Sequence, residues 1–116
     1  MRLALSLALL TMLVGCAATP RPDSGDDIIA SPAQIEAGRV MARTHCKNCH
    51  AVGLSDHSAV REAIPFRRLS ELYPVSGLAE ALAEGIVTGH PSMPEWVLEP
   101  EEITSLLGYI QSIQAR

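Results

Sequence analysis

The chain has 116 residues, of which 47% are hydrophobic and only 3% aromatic, so one small domain is expected. Its formal net charge of −4 argues against a nucleic-acid partner, because nucleic-acid-binding domains carry a strongly basic surface. With so few aromatic side chains the core is thin, and domains of this size usually need a disulfide, a metal or another group to complete it.

The first fifteen residues are predicted to be an export signal. Residues 3–14 follow Arg2 almost without a polar side chain, which is typical of a secretory leader and too short to span a bilayer comfortably. The leader ends in LVGC, residues 13–16, which resembles the bacterial lipobox. This resemblance implies cleavage before Cys16 and lipidation of that cysteine. The alternative is ordinary cleavage near residues 17–18, which would discard Cys16 and release a soluble periplasmic protein.

A tether is predicted to follow the signal. Residues 19–30, TPRPDSGDDIIA, contain two prolines, one glycine and three aspartates, a composition typical of linkers. We therefore divide the chain into a lipoprotein-type signal peptide (1–15), a flexible tether (16–30) and one folded domain (31–116). Without Arg2 the net charge becomes −5, and such a surface is attracted to basic patches on a partner.

Four helices are predicted in the folded part, and no segment alternates at period two for long enough to form a strand. The first helix begins after Ser31, because Pro32 suits the first helical position and Gln34 completes a capping box, and it runs to about His45. The last helix is the clearest, since its apolar residues recur at helical spacing. The three later helices are predicted over residues 67–72, 77–87 and 100–113. The fold class is therefore all-α.

Gly38 interrupts the first predicted helix, where a glycine costs about 1 kcal/mol relative to alanine. Close approach of another helix or of an aromatic ring would explain it. Tyr109, beside the apolar stripe of the last helix, is the natural ring. A glycine that is merely tolerated is the alternative.

The segment THCKNCHAVG, residues 44–53, carries the clearest chemistry. On a helical turn Cys46, Cys49 and His50 project to one side, because they stand at i, i+3 and i+4. The spacing C-x-x-C-H is the attachment signature of c-type haem, in which the two thiols bond the porphyrin edge and the histidine binds the iron. A disulfide would leave His50 unexplained, a zinc site lacks a second Cys or His pair, and a thioredoxin-like redox pair lacks a βαβ pattern.

The order of these features resembles the class I cytochrome c family. Gly38 stands eight residues before Cys46, a Met-Pro pair follows late in the chain, and the terminal helix carries an aromatic residue. The resemblance covers nearly all of residues 31–114. It implies a small cytochrome c fold of three to four short helices wrapped round one covalently attached haem c. It also implies that the first and last helices cross where Gly38 meets the region of Tyr109.

The same resemblance implies that Met93, in the loop GHPSMPEW, is the second axial ligand of the haem iron. A thioether has little packing reason to occupy a loop so rich in glycine and proline. His90 and His57 are the alternatives that remain open. Met41 is excluded because it lies on the helix that leads to Cys46.

Further assignments concern the expected surroundings of the haem. The resemblance points to the backbone near Pro65 as acceptor for the second ring N–H of His50, the alternative being that Pro65 only begins the following turn. Trp96 either screens the haem from water or packs without tuning it. Arg67 and Arg68 either meet the haem propionates or form a solvated pair.

The function expected from these features is non-enzymatic transfer of single electrons, because protein ligands on both axial positions leave no place for a substrate. Lipidated Cys16 would anchor the carrier on the periplasmic side of a bacterial membrane. Its partners would be redox proteins or membrane respiratory complexes that offer basic docking patches. Two alternatives are a haem subunit of a larger dehydrogenase or oxidase, and a haem enzyme or gas sensor with a displaceable sixth ligand.

Overall fold

The computed structural model describes residues 27–85 and 92–115, and all the regular structure in them is helical. The α-helices are α1 (Pro32–Met41), α2 (Leu78–Glu84) and α3 (Pro100–Ser112). A π-helical turn (Ala42–Cys46) continues α1, and two 3₁₀ turns (Phe66–Glu71 and Val75–Gly77) precede α2. The predicted all-α class is thus confirmed for the part of the chain described. The predicted leader, Cys16 and His90 lie outside it.

The start of α1 follows the predicted capping box. The Ser31 hydroxyl accepts a hydrogen bond from the Gln34 backbone N–H at 3.3 Å, and the Gln34 side chain accepts one from the Ser31 N–H at 2.9 Å. The helix ends at Met41 rather than near His45, and the chain then widens into the π-helical turn. The Lys47 N–H donates to the Ala42 carbonyl at 3.1 Å, the five-residue spacing of that form.

Helices α1 and α3 cross in direct backbone contact at Gly38. A Cβ atom at Gly38 would lie 1.9 Å from the Ser105 carbonyl oxygen and 2.9 Å from Tyr109 Cβ. A second glycine on α3, Gly108, makes similar room for Ala30, whose Cβ would be 2.5 Å from the added carbon. The predicted close approach at Gly38 is confirmed, and the nearest neighbour is the backbone of Ser105.

Gly38→Ala is expected to destabilise the protein by about 3 kcal/mol or more, because the added methyl group can be accommodated only if α1 and α3 move apart. Urea unfolding followed by circular dichroism would measure the change.

Gly77→Ala is the matched control. Gly77 has φ −63°, and nothing lies within 4 Å of a Cβ built there. The substitution should be neutral or stabilise by up to about 1 kcal/mol. If Gly38→Ala and Gly77→Ala lowered the free energy of unfolding equally, the close contact of α1 and α3 at Gly38 would not be the cause.

Packed structure begins before α1. Ile28 packs against the core, and its backbone N–H donates to the Gln111 side chain at 2.7 Å. Ala30 touches Gly108, whereas the Ile29 side chain is 93% exposed. The packed region therefore reaches into the last residues of the segment interpreted as a tether.

Two predicted helices differ from those observed. The second, predicted over 67–72, is the 3₁₀ turn Phe66–Glu71, whose short run between Pro65 and Pro74 leaves little room for an α-helix. The third, predicted over 77–87, ends at Glu84 because Gly85 adopts φ +71° and closes the helix in the left-handed conformation. Among the residues described, no helix has the length and apolar character needed to cross a membrane.

Candidate functional site

A large cavity of about 540 Å³ opens between the π-helical turn, the 3₁₀ turn Phe66–Glu71, α2, the loop before α3, and α3 itself. This volume lies within the roughly 300–1,000 Å³ of cofactor and ligand pockets. The apolar part of its lining includes Ile64, Phe66, Leu69, Leu82, Leu106 and Ile110. Such walls suit a flat, largely apolar group.

All four residues that the sequence assigned to haem binding line this one cavity: Cys46, Cys49, His50 and Met93. The first three share a tight turn, in which the N–H groups of Cys49 and His50 both donate to the Cys46 carbonyl, at 3.1 and 2.9 Å. Met93 comes from the loop before α3. The fold thus brings a Cys-Cys-His cluster and a distant thioether to a common space.

The His50 ring is oriented by the backbone. Its Nδ1 atom lies 2.7 Å from the Ile64 carbonyl oxygen. A carbonyl oxygen only accepts, so Nδ1 carries the proton and the lone pair of the neutral ring is on Nε2. Nε2 is buried, and the Phe66 ring lies 5.1 Å from the imidazole centroid at 45°. The hydrogen-bond acceptor that was expected near Pro65 is therefore the carbonyl of Ile64, the residue directly before Pro65.

Cys46 and Cys49 are free thiols, both half-buried. Burial, and secondarily the neighbouring Cys49, raises the pKa of the Cys46 thiol to about 11. This raised pKa keeps the thiol protonated near neutral pH, which disfavours a reactive thiolate of the redox-pair kind.

The loop that carries Met93 is held against α2. Gly85, which ends that helix, has no Cβ, and one built there would lie 2.7 Å from Val97 Cγ2 and 3.0 Å from the Glu95 carboxylate. Further along, the Leu98 N–H donates to the Leu82 carbonyl at 2.9 Å. These contacts fix the end of the loop, and the half-buried Met93, a few residues before them, lines the cavity.

The other histidines are placed differently. His57 is exposed and does not line the cavity. His45 reaches the cavity from an exposed position, and its ring meets Trp96 edge to face at a centroid distance of 5.2 Å. Trp96 also lines the cavity, so both its screening role and a plain packing role remain compatible with its place.

The two arginines considered for propionate binding are engaged elsewhere. Arg67 donates to the Gly53 and Asp56 carbonyls at 3.3 and 3.0 Å, and Arg68 pairs with Glu71 at 2.7 Å. Neither arginine lines the cavity. Among the residues described, the cavity wall contains no Lys or Arg, so the propionate role is not supported.

The loop after His50 is closed by Asp56. Its carboxylate accepts hydrogen bonds from the Val52 and Gly53 N–H groups, at 3.0 and 2.9 Å, and faces Arg67 at 3.6 Å. Desolvation raises the pKa of the Asp56 carboxyl, but the bonds from Gly53 and Val52 and the charge of Arg67 together hold it below the ordinary value. The ionised form is therefore the one that stabilises this loop.

Asp56→Asn is expected to lower the free energy of unfolding at pH 7 by about 1–2 kcal/mol, since it weakens two half-exposed, charge-assisted hydrogen bonds. A folded-state pKa below the unfolded value of about 3.9 gives stability that is present above that pH and lost as pH falls through the folded pKa. Urea unfolding should therefore show wild type and variant converging below about pH 4.

The charge-matched control is Glu84→Gln, on an exposed position of α2. It should change the free energy of unfolding by no more than about 0.5 kcal/mol at either pH. If the Asp56 variant kept its full deficit in acid, the carboxylate would not be the source of that stability.

Sequence reasoning missed several residues of the cavity wall. Met41, excluded as a ligand because of its place on α1, nevertheless lines the cavity, as do Tyr73 and Glu102. The stripe on α3 offered a partial signal, since Leu106 and Ile110 belong to it. Nothing local marks Met41 or Tyr73, because their place depends on contacts between elements.

Three or more His, Cys, Asp or Glu side chains do not group as a metal site anywhere in residues 27–85 and 92–115. A haem iron held by one imidazole and one thioether needs no such group. The chain matches no protein-family model, and no curated protein or solved structure matches it.

Proposed function

We propose that this protein is a c-type cytochrome that carries single electrons. One haem c is attached through thioether bonds to Cys46 and Cys49, and His50 and Met93 bind its iron. The observation that carries the proposal is that these four residues, spread over 48 positions of the chain, line a single, largely apolar cavity.

The donor set suits this group. Two thiols one helical turn apart face the same space as an imidazole whose lone pair is on the buried Nε2. The wall also supplies a methionine thioether, the soft ligand that accompanies histidine in cytochromes c. When bound, haem iron supplies reversible one-electron chemistry between its ferric and ferrous states.

The residues round the cavity have separable tasks. The Ile64 carbonyl fixes the orientation of the His50 ring, and the apolar walls exclude water, which favours the less charged, reduced state. Thioether ligation by Met93 would also favour the reduced state. If His50 and Met93 both held the iron, no coordination position would be left for a substrate, which is why electron transfer is preferred over catalysis or gas sensing.

The carrier is tethered outside the cytoplasm in this proposal. A lipidated Cys16 would hold the domain close to a membrane and raise its effective concentration near membrane redox complexes. Its acidic surface would meet basic patches in short-lived encounters.

Mass spectrometry of the mature protein should show a diacylated N-terminal Cys16, and an unmodified N-terminus after that residue would remove the anchor.

The decisive experiment is a visible spectrum of the protein purified from cells equipped for cytochrome c maturation and then extracted with acid acetone. Covalent haem stays with the polypeptide, so the extracted protein should remain coloured. A colourless polypeptide would contradict the proposal. Tight binding of carbon monoxide by the reduced native protein would contradict the carrier role and favour a haem enzyme or gas sensor.

A further inference from the structure

A second, smaller cavity of about 250 Å³ shares no lining residue with the first. One wall is the cationic end of α1 and the turn that follows it, and the opposite wall is the loop over residues 52–56. The ring of Tyr109 closes the space between them, and its hydroxyl donates to the Val52 carbonyl at 2.6 Å.

Three cations line this cavity: Arg39, Arg43 and Lys47. They stand four residues apart and make up a third of the nine Lys and Arg residues of a chain whose net charge is −4. Like charges at this spacing destabilise a helix, so their grouping costs folding free energy. The negative end of the α1 dipole offsets part of this cost, but that effect does not require the three side chains to share a cavity.

Most of this positive charge is not neutralised within the described part of the chain. Arg39 pairs with Glu36, whereas Arg43 and Lys47 are exposed and have no ion pair there. The carboxylate in the cavity wall, Asp56, is already bonded to the loop N–H groups and faces Arg67. The wall therefore keeps a net positive charge on an acidic protein.

We propose that Arg39, Arg43 and Lys47 form a binding site for a phosphate group, carried either by a free phosphate compound or by a lipid head group. The Arg43 guanidinium fork matches the oxygens of phosphate, and Lys47 adds a point charge. Arg39, whose fork holds Glu36, adds to the positive charge of the wall. The exposed Ser55 on the facing wall adds a hydroxyl that can donate to the same anion. The inference goes beyond electron transfer and does not depend on haem binding.

The test is calorimetric titration of the full-length mature protein at fixed low ionic strength. One arm uses inorganic phosphate, and the other uses glycerophosphoglycerol, the soluble head group of an anionic lipid. Saturable binding with a dissociation constant of about 1 mM or below is expected for at least one probe. Tighter binding of inorganic phosphate assigns the site to free phosphate compounds, and tighter binding of the diester assigns it to lipid.

The variant Arg43→Gln with Lys47→Gln should weaken binding about tenfold or more, because it removes two of the three cations that line the cavity. The control Arg61→Gln with Arg68→Gln changes the net charge equally but lies outside the cavity, and it should weaken binding less than about twofold.

A second variant, Ser55→Glu, places a carboxylate on the opposite wall without altering α1, and it should also weaken binding. Absence of saturable binding to both probes would overturn the proposal. Equal weakening in the cavity variant and the control would do the same, because it would show attraction to net charge alone.

Discussion

Replacing Cys46 and Cys49 together with alanine is expected to give a protein that keeps no colour after acid-acetone extraction and has lost most of its helical structure. If haem is attached as proposed, loss of both thioether bonds leaves it held only by its iron ligands, and the cavity of about 540 Å³ can lose its occupant. Apolar walls left without the group lose the contacts that would complete this thin core. Ordinary domains are stable by only about 5–15 kcal/mol, so a loss of this kind can unfold the chain.

Visible absorbance and far-ultraviolet circular dichroism, recorded on the same preparation, would measure both losses. Lys47→Ala is the control, because Lys47 is an exposed residue inside the C-x-x-C-H segment and does not line the large cavity. This variant should keep both colour and helicity. A double-cysteine variant that folded with native helicity would show that the chain completes its core without the haem.

The fold could be anticipated best where its signals are local. Ser31, Pro32 and Gln34 formed the start of α1 as predicted, and the apolar spacing after Pro100 located α3 to within one residue at its end. Capping boxes and helical periodicity act within one or two turns, so they can be recognised without knowing the rest of the structure.

Apart from the close approach at Gly38, several features that depend on contacts between distant segments were missed. Gly108 has no unusual neighbours in sequence, and only the docking of Ala30 explains it. Arg67 looked available for an anionic ligand, yet its guanidinium donates to the carbonyls of Gly53 and Asp56.

Gly85 did carry a local signal, since glycine is the residue most suited to end a helix. The prediction that α2 continues to Val87 overlooked it.

The candidate site depends on α3 more than its sequence position suggests. Two residues beyond this helix the Gln114 side chain donates to the Phe66 carbonyl at 2.7 Å and accepts from the Ser70 N–H at 2.8 Å. These bonds hold the 3₁₀ turn whose Phe66 ring lies against His50. On the opposite side α3 crosses α1 at Gly38, and the π-helical turn that follows α1 ends at Cys46. The helix and the residues directly after it thus contact the segments that carry both Cys46 and the neighbour of His50.

Met93→Ala is expected to lower the reduction potential of the holoprotein, because loss of a soft thioether removes a ligand that favours the ferrous state. The expected change is on the order of 0.1 V or more, within the roughly 0.8 V that axial ligands span. The weak near-infrared band from sulfur to ferric iron should disappear. The reduced variant should also bind carbon monoxide, since one axial position is then open. Potentiometry and absorption spectroscopy would measure all three effects.

Met41→Leu provides the matched control, because Met41 is the other thioether that lines the large cavity in the part of the chain described. Leucine keeps the volume and apolar character of the side chain, so packing should change little. If Met93 and not Met41 supplies the sulfur ligand of the iron, the Met41 variant retains the near-infrared band, the potential and the resistance to carbon monoxide. If the near-infrared band were lost in the Met41 variant and kept in the Met93 variant, the sulfur ligand would be Met41 on α1 and not Met93 in the loop. It would also show that Met41 can bind the iron although it lies on the helix that leads to Cys46.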